Sequence, residues 1–551
     1  MIVAKSQKMS PLSQRLYVFI RGKVMNYRKP TLLSSAITIA LLSSSAVQAR
    51  SHHSSTQTSE TSKTQALEQR IKELENRLEK LDALTQQQPQ TIQSPASPQA
   101  DVKKLTNEVH LLERKLEVQE EVADANAKKA PIIEAGEKGF KITSSDKKHQ
   151  VRLRGAVQVD NHTFTGESHV GADGKPLTID SFDLKQGRIW LEGYVFNDVA
   201  FKIMPDFAAS GNILPDAYID YTYHSAASLL VGKFKPALSL ERLQGDSDGT
   251  FLERAFPTYL ASNRDVGVQL HGGFNFTGHG AEKVAGPIDT KNQLTYQVGV
   301  FNGSGDDGSP NNNAPDTNDN KEFVGRIFAQ PFQHSGYSWI EGLGLGVAGS
   351  YAQPTTQALK NQATPLGRNT YLSYNTSLNS GFSAPTANGD TYRIYPQAYW
   401  YAGGFGLMGE YAVSSQNLLS TQTVGKIKTN RTINQTNTAW QVLGSYVLTG
   451  EDNSFGAIRP IQAFNPLEGK WGALQLAGRY SQLDVDSDTF LFVDPTKSAN
   501  QARAWTIGAN WYLNANALIR TDYEQVSFDG GAVKGNRPTE QVFATRFQLA
   551  F

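Results

Sequence analysis

The sequence predicts an all-β fold, a transmembrane antiparallel β-barrel of about 16 strands with an N-terminal α-helical coiled-coil segment. Three observations carry this expectation. The last nine residues place Phe543, Phe547, Leu549 and Phe551 on one strand face and Arg546 and Gln548 on the other, as a strand between hydrocarbon and water requires. The same two-residue period, rich in Gly, Asn and aromatic residues, runs from Pro131 to the end. No apolar stretch is long enough for a membrane helix, yet the N-terminus reads as an export signal.

Residues 1–49 are that signal. Arg15, Arg21, Lys23, Arg28 and Lys29 form a basic region, Leu32 to Leu42 a short apolar one, and Val47-Gln48-Ala49 a small-residue cleavage site, so the mature chain is expected to begin at Arg50. Met1, Met9 and Met25 are alternative starts. Residues 50–64, dense in Ser, Thr and His, cannot bury a core and are expected to be a disordered tail.

Over residues 65–130, Leu67, Ile71, Leu74, Leu78 and Leu81 recur at spacings of four and three. Val102, Leu105, Val109, Leu112 and Leu116 repeat the pattern after a break at Pro89, Pro95 and Pro98. Seams of about two heptads cannot bury their stripe alone and ask for partner helices. A periplasmic coiled coil on an oligomer is therefore expected, with an amphipathic helix packed elsewhere as the alternative.

The barrel is expected over residues 139–551. Val151, Leu153, Val157 and Val159 alternate with Arg152, Arg154 and Gln158, and Leu474, Leu476 and Tyr480 with Gln475 and Arg479. Trp505, Ile507, Trp511 and Leu513 alternate in the same way with Thr506 and Asn510. Tyr218, Tyr221 and Tyr223, and the group Tyr395, Tyr399, Trp400 and Tyr401, are expected to supply aromatic girdles. The polar stretches Asn302 to Asn320 and Asn361 to Asp390 are loops that face outward or fold into a pore.

Composition excludes several classes. There is no cysteine, so an exported chain must find stability without disulfides, and barrel closure supplies it by pairing every backbone group around the ring. Net charge is +1, which argues against a nucleic-acid partner. From Phe140 onward about 33 Lys and Arg face about 37 Asp and Glu, so any charge-dependent function is local. Gly344-Leu-Gly346-Val-Ala-Gly349 matches a dinucleotide fingerprint, but no helical pattern follows it. Asp484, Asp486 and Asp488 lack the glycine and distal glutamate of a calcium loop, and His52-His53 belongs to the tail. No nucleophile and base grouping is present, so neither an enzyme nor a cofactor or metal is expected.

One region is more specific: Val231-Gly-Lys-Phe-Lys-Pro-Ala-Leu-Ser-Leu-Glu-Arg242, then Phe251-Leu-Glu-Arg254 and Asn263-Arg-Asp-Val-Gly-Val268. With Trp440 to Glu451, Gly469-Lys-Trp-Gly-Ala473 and Gly508-Ala-Asn-Trp-Tyr512, it resembles the phosphate-selective porin O and P family from about Gly139 to Phe551. The resemblance implies a trimeric, 16-stranded outer-membrane barrel whose pore is narrowed by inward loops and lined with basic side chains. The pore-lining candidates are Arg188, Lys233, Lys235, Arg242, Arg254 and Arg264, with Asp246 and Asp248 bringing opposite charge. Lys233 and Lys235 read as sharing one strand face, and Arg188 as sharing a face with Glu192.

The chain departs from the family pattern at three places. The family's paired arginines before the strand matching Ile189-Trp-Leu-Glu192 are Gly187-Arg188 here, and its arginine in an early strand is Ala156. Its lysine-bearing loop reads Leu243-Gln-Gly-Asp-Ser-Asp248. The expectation is an outer-membrane homotrimeric porin passing small hydrophilic solutes, weakly anion-preferring or unselective, with its N-terminal segment in the periplasm. A phosphate- or anion-selective channel is the alternative on the same fold. A structural or adhesive protein, joined to peptidoglycan through the helical segment, is the alternative from another class.

Overall fold

A computed structural model of the chain describes residues 69–77, 79–80, 83, 98–166, 179–208, 213–276, 280–303, 319–374 and 381–551. The expected signal peptide, the tail with His52 and His53, and Leu67, Leu78 and Leu81 lie outside them. Two units are present, residues 1–129 and residues 130–551.

In the first unit, residues 69–77 are helical and a second helix, Pro98–Lys129, covers the second seam. Leu74 and Val109 are buried, Leu105, Leu112 and Leu116 half-buried, and Leu111, Val118 and Val122 exposed. Burial thus follows the seam rather than hydrophobicity alone. Lys128 and Lys129 suit the negative end of the helix dipole, and Pro131 follows where the helix has stopped. No helix among the described residues is long and apolar enough to cross a membrane.

The second unit is a closed antiparallel barrel of sixteen strands. Its first half comprises β1 (Gln150–Phe164), β2 (Ser181–Val195), β3 (Val199–Met204), β4 (Asp216–His224), β5 (Ala227–Phe234), β6 (Asp265–Phe274), β7 (Leu294–Phe301) and β8 (Glu322–Ala329). The second half comprises β9 (Gly342–Ala352), β10 (Thr386–Ala402), β11 (Phe405–Val424), β12 (Ile427–Val447), β13 (Ala473–Asp484), β14 (Ala499–Tyr512), β15 (Ala517–Gly530) and β16 (Glu540–Ala550). β16 pairs back onto β1 from Val542↔Phe164 to Ala550↔Ala156, which leaves the ring without an edge. A hairpin that the sequence reading did not include, Ile132–Gly136 with Gly139–Thr143, adds to the start of β1, and Phe140 meets the terminal Phe551 edge-on at 6.5 Å.

Alternation sorts the wall as expected. Phe543, Phe547 and Leu549 point outward while Arg546 and Gln548 are buried inward, and Leu476, Tyr480, Trp505 and Ile507 are exposed on the same outer surface. The girdle expectation needs correction at four positions: Tyr221 and Tyr223 are exposed, but Tyr395 and Tyr399 point into the barrel and are buried, and Tyr218 and Tyr401 pack against the apolar clusters there. The reason is parity, because Tyr395 and Tyr399 share a face with the inward Arg393 and Gln397. Trp400, on the other face, donates its indole N–H to Trp339 O at 2.7 Å.

The lumen is filled by loops. Residues 235–264, between β5 and β6, carry a short helix, Leu240–Leu243, and a 3-10 turn, Phe256–Leu260. Residues 353–385, between β9 and β10, contribute Leu366, Tyr371, Leu372 and Tyr374, all buried. Phe234, Phe256, Tyr371 and Tyr395 belong to one apolar core inside the barrel, each ring contributing about 2 to 3 kcal/mol by leaving water. Gly344 and Gly346 of the supposed dinucleotide motif, on β9, make room for a second interior cluster that includes Phe328 and Tyr399. A Cβ at Gly344 lies 2.6 Å from the Tyr399 ring and one at Gly346 lies 2.4 Å from the Phe328 ring.

Candidate functional site

The loop 235–264 begins where β5 cannot continue, since Pro236 has no N–H to add to a ladder. Ser239 then caps the helix Leu240–Leu243, its hydroxyl accepting from Arg242 N at 3.3 Å. The wall grips this turn. Glu410 on β11 accepts from Leu240 N at 2.8 Å and from Ser239 Oγ at 3.1 Å, and Gln441 on β12 donates to Glu410 and Glu241 at 2.9 Å each. Arg479 on β13 reaches Glu241 at 3.1 Å.

Irregular backbone inside a barrel needs acceptors and donors that a ladder does not supply. Here the inward side chains of the strands supply them: Gln397 donates to Leu238 O at 2.8 Å, Arg393 to Leu260 O at 2.9 Å and Arg546 to Leu252 O at 3.0 Å. Tyr395 OH donates to Pro257 O at 3.1 Å. The loop is thereby fixed against opposite sides of the lumen.

At its tip, Asp246 gathers cations. Arg188 and Arg254 make direct charge-assisted hydrogen bonds to its carboxylate, Arg264 Nη2 lies 3.6 Å away and Lys235 Nζ 3.7 Å away. Arg188 also binds Asp206 at 2.7 Å, and Arg264 binds Asp216 at 2.6 Å. Burial alone pushes the Asp246 carboxyl up, but Lys235, Arg254, Arg188 and Arg264 outweigh it and hold the group well below the usual carboxylate range. Burial pushes the Lys235 ammonium down despite Asp246. Asp248 is pushed up by burial, with Arg154 opposing and the negative charge of Asp246 adding to the rise.

Beside this cluster lies a cavity of about 400 Å³ lined by seven cationic side chains and three carboxylates. Arg188, Arg242, Arg254 and Arg264 line it, joined by Lys185, Lys360 and Arg546, against Glu241, Asp246 and Glu253. Lys185 pairs with Glu253, Arg368 Nη2 lies 2.8 Å from the same carboxylate, and Arg546 holds Asp160 through two contacts of 2.7 Å.

Of the candidates read from sequence, Arg188, Lys235, Arg242, Arg254, Arg264 and Asp246 come together. Lys233 is buried on β5 and is not among the cavity-lining residues; the strand ends at Phe234, so Lys233 and Lys235 do not share its face. Asp248 closes a turn on Gly245 O at 3.0 Å and is also outside that lining. Asp484 and Asp486 are occupied locally, by Gln482 at 2.9 Å and by Asp488 N at 2.9 Å. Sequence reasoning missed Lys185, Lys360, Arg368 and Arg546 as lumen cations. Arg546 is legible, since alternation with Phe543 and Phe547 puts it on the polar face; Lys185 is not, because the β1–β2 register skips it, passing from Gln158↔Gln186 to Val159↔Leu184.

The family model described as phosphate-selective porin O and P matches residues 151–551. The chain belongs to that family. Porin O of Pseudomonas aeruginosa is 23% identical over 441 residues, covering 77% of this chain and 93% of that protein. Among solved structures, the outer membrane channel DcaP of Acinetobacter baumannii superposes with a TM-score of 0.44 at 12% identity, covering 75% of this chain and 99% of that one. An anion-selective porin from Comamonas acidovorans gives 0.41 at 11% identity, covering 73% and 100%. The protein is an outer-membrane porin, and the loop 235–264 narrows the porin lumen.

Two departures from the phosphate-selective pattern now have positions. Ala156 is buried and lies opposite Arg188 in the β1–β2 ladder. Gly187 lies opposite the outward Val157 and shares the face of the exposed Ile189 and Leu191, so a side chain there points away from the lumen.

Proposed function

We propose that this porin passes small hydrophilic solutes passively, with a weak preference for anions and without a high-affinity phosphate site. The observation that carries the reading is the cationic lining of the cavity, seven Lys and Arg against Glu241, Asp246 and Glu253, an excess that Asp160, Asp206 and Asp216 reduce by pairing with Arg546, Arg188 and Arg264 from behind. A local excess enriches anions whatever the charge of the whole chain, and salt with a Debye length of about 10 Å at 0.1 M keeps the preference modest. Tight phosphate binding needs several donors converging on a dehydrated oxyanion. Asp246 stands among those donors here, and Ala156 and Gly187 contribute none.

Phosphate titration of the chloride current tests this. Micromolar phosphate is expected to leave the wild-type current nearly unchanged, and Asp246→Lys with Ala156→Arg, opposite the inward Arg188, to make it phosphate-sensitive. Strong block of the wild type at micromolar phosphate would instead establish the phosphate-selective reading.

The proposal extends to assembly and topology. The chain is read as a homotrimer, exported by residues 1–49, with residues 65–130 a periplasmic helical segment for which peptidoglycan is a candidate partner. Leu74 and Val109 are already covered within the single chain, and the exposed Leu111, Val118 and Val122 are the apolar surface that supports a helical partner for that segment.

A further inference from the structure

We infer that Asp246 acts as a tethered ligand: its carboxylate fills an anion site formed by Arg188, Lys235, Arg254 and Arg264, and that site takes a free small carboxylate once the side chain is removed. The inference rests on the anion-channel reading and adds a defined binding position to it.

The coordination is that of a bound ligand. One carboxylate meets four cations, Oδ2 facing Arg188 and Arg264 and Oδ1 facing Arg254 and Lys235. Those cations come from β2, from the first residue of the loop and from its returning arm. An ordinary ion pair joins one charge to one; this arrangement surrounds one anion from several sides.

Each cation is also held independently of Asp246. Asp206 fixes Arg188 at 2.7 Å and Asp216 fixes Arg264 at 2.6 Å. Lys235 Nζ donates to Arg242 O at 2.7 Å and Gln244 O at 3.1 Å, and Arg254 donates to Glu241 O and Gln244 O at 3.1 Å each. Removing the Asp246 side chain therefore leaves a formed site of three guanidinium groups and the Lys235 Nζ donor against the carboxylates of Asp206 and Asp216. The backbone around the tip has its own supports, since Gln548 Nε2 donates to Ser247 O at 3.1 Å. The cavity of about 400 Å³ next to the site gives a solute access to it. The occupant that the vacated position fits is a planar carboxylate such as formate or acetate, which reproduces the two oxygens it has lost.

Bilayer recordings at fixed chloride, with formate or acetate added, test this on D246G, D246A and D246N. The wild type and D246N, whose amide still fills the position, are expected to conduct without block. D246G and D246A are expected to be blocked at millimolar carboxylate, at least about tenfold more sensitively than D246N. Absence of block in both truncations, or equal block in D246N, would overturn the inference, because the latter assigns the effect to net charge alone. D246A keeps a Cβ should glycine loosen the turn. D246N is further expected to shift the reversal potential toward chloride, and an unmoved potential would also contradict a carboxylate sensed by permeant ions. The wild-type reversal potential tests anion preference separately, so failure of one reading does not pass for failure of the other.

Discussion

At the scale of single residues, the lumen depends on charges that are paired before they are buried. Arg546 and Asp160 are almost wholly enclosed and joined by two contacts of 2.7 Å. Removing Arg546 leaves the buried Asp160 with only Arg368 at 3.4 Å, so Arg546→Ala is expected to destabilise the folded barrel by about 3 kcal/mol, read as a lower urea or thermal midpoint. Adding Asp160→Asn is expected to recover part of the loss, since no under-compensated carboxylate then remains at that position.

Charge at the loop tip also sets a pH response. Burial pushes Asp248 up while the surrounding cations hold Asp246 down, so on acidification Asp248 takes its proton first. Protonation removes a negative charge and leaves the lumen more positive. Anion preference is therefore expected to rise as pH falls from neutral, and Asp248→Asn to show the raised preference already at neutral pH with a flatter profile. An identical pH profile in that variant would show that permeant ions do not sense Asp248.

At the scale of elements, the strands were legible because lipid and water impose a period of two on them. Val151, Leu153 and Val157 point outward against the inward Arg154 and Gln158 as the alternation requires. Reading failed where that period breaks or stops applying. The bulge at Lys185 adds a residue that simple alternation assigns to the wrong side, and the lumen position of Arg368 depends on a loop whose path is fixed by distant wall residues such as Glu524, which accepts from Leu366 N at 2.8 Å. The cations of loop 235–264 were found through a resemblance, not through spacing, because nothing local says that Asp246 meets Arg188.

The anchoring of that loop yields a further expectation. Glu410 is the acceptor for Leu240 N and Ser239 Oγ, and Gln441 bridges it to Glu241. Glu410→Ala withdraws those acceptors together, leaving buried donors unsatisfied at about 1 to 3 kcal/mol each. The loop is expected to loosen, giving a larger or noisier single-channel conductance and faster protease cleavage within residues 235–264. Unchanged noise and cleavage would mean that the remaining wall contacts suffice.

At the scale of the whole molecule, the barrel and its approximate strand number were readable from length and texture, and closure through β16 and β1 explains how a chain without cysteine holds together. The N-terminal segment is separable in the proposed scheme, because its seams precede a barrel that closes by itself. Deleting residues 65–130 is expected to leave single-channel conductance intact and to lower the thermal stability of the proposed trimer modestly. Loss of conductance would place the helices in the pore.

In the proposed function, a local excess of Arg and Lys, partly neutralised by Asp246, gives a chain of near-zero net charge a mild anion preference. The reversal potential of the wild-type channel under a potassium chloride gradient measures it directly. A potential displaced modestly toward the chloride equilibrium value, and diminishing as ionic strength rises, is expected. A potential displaced toward potassium would contradict the account, because the cations around the cavity would then not govern which ions pass.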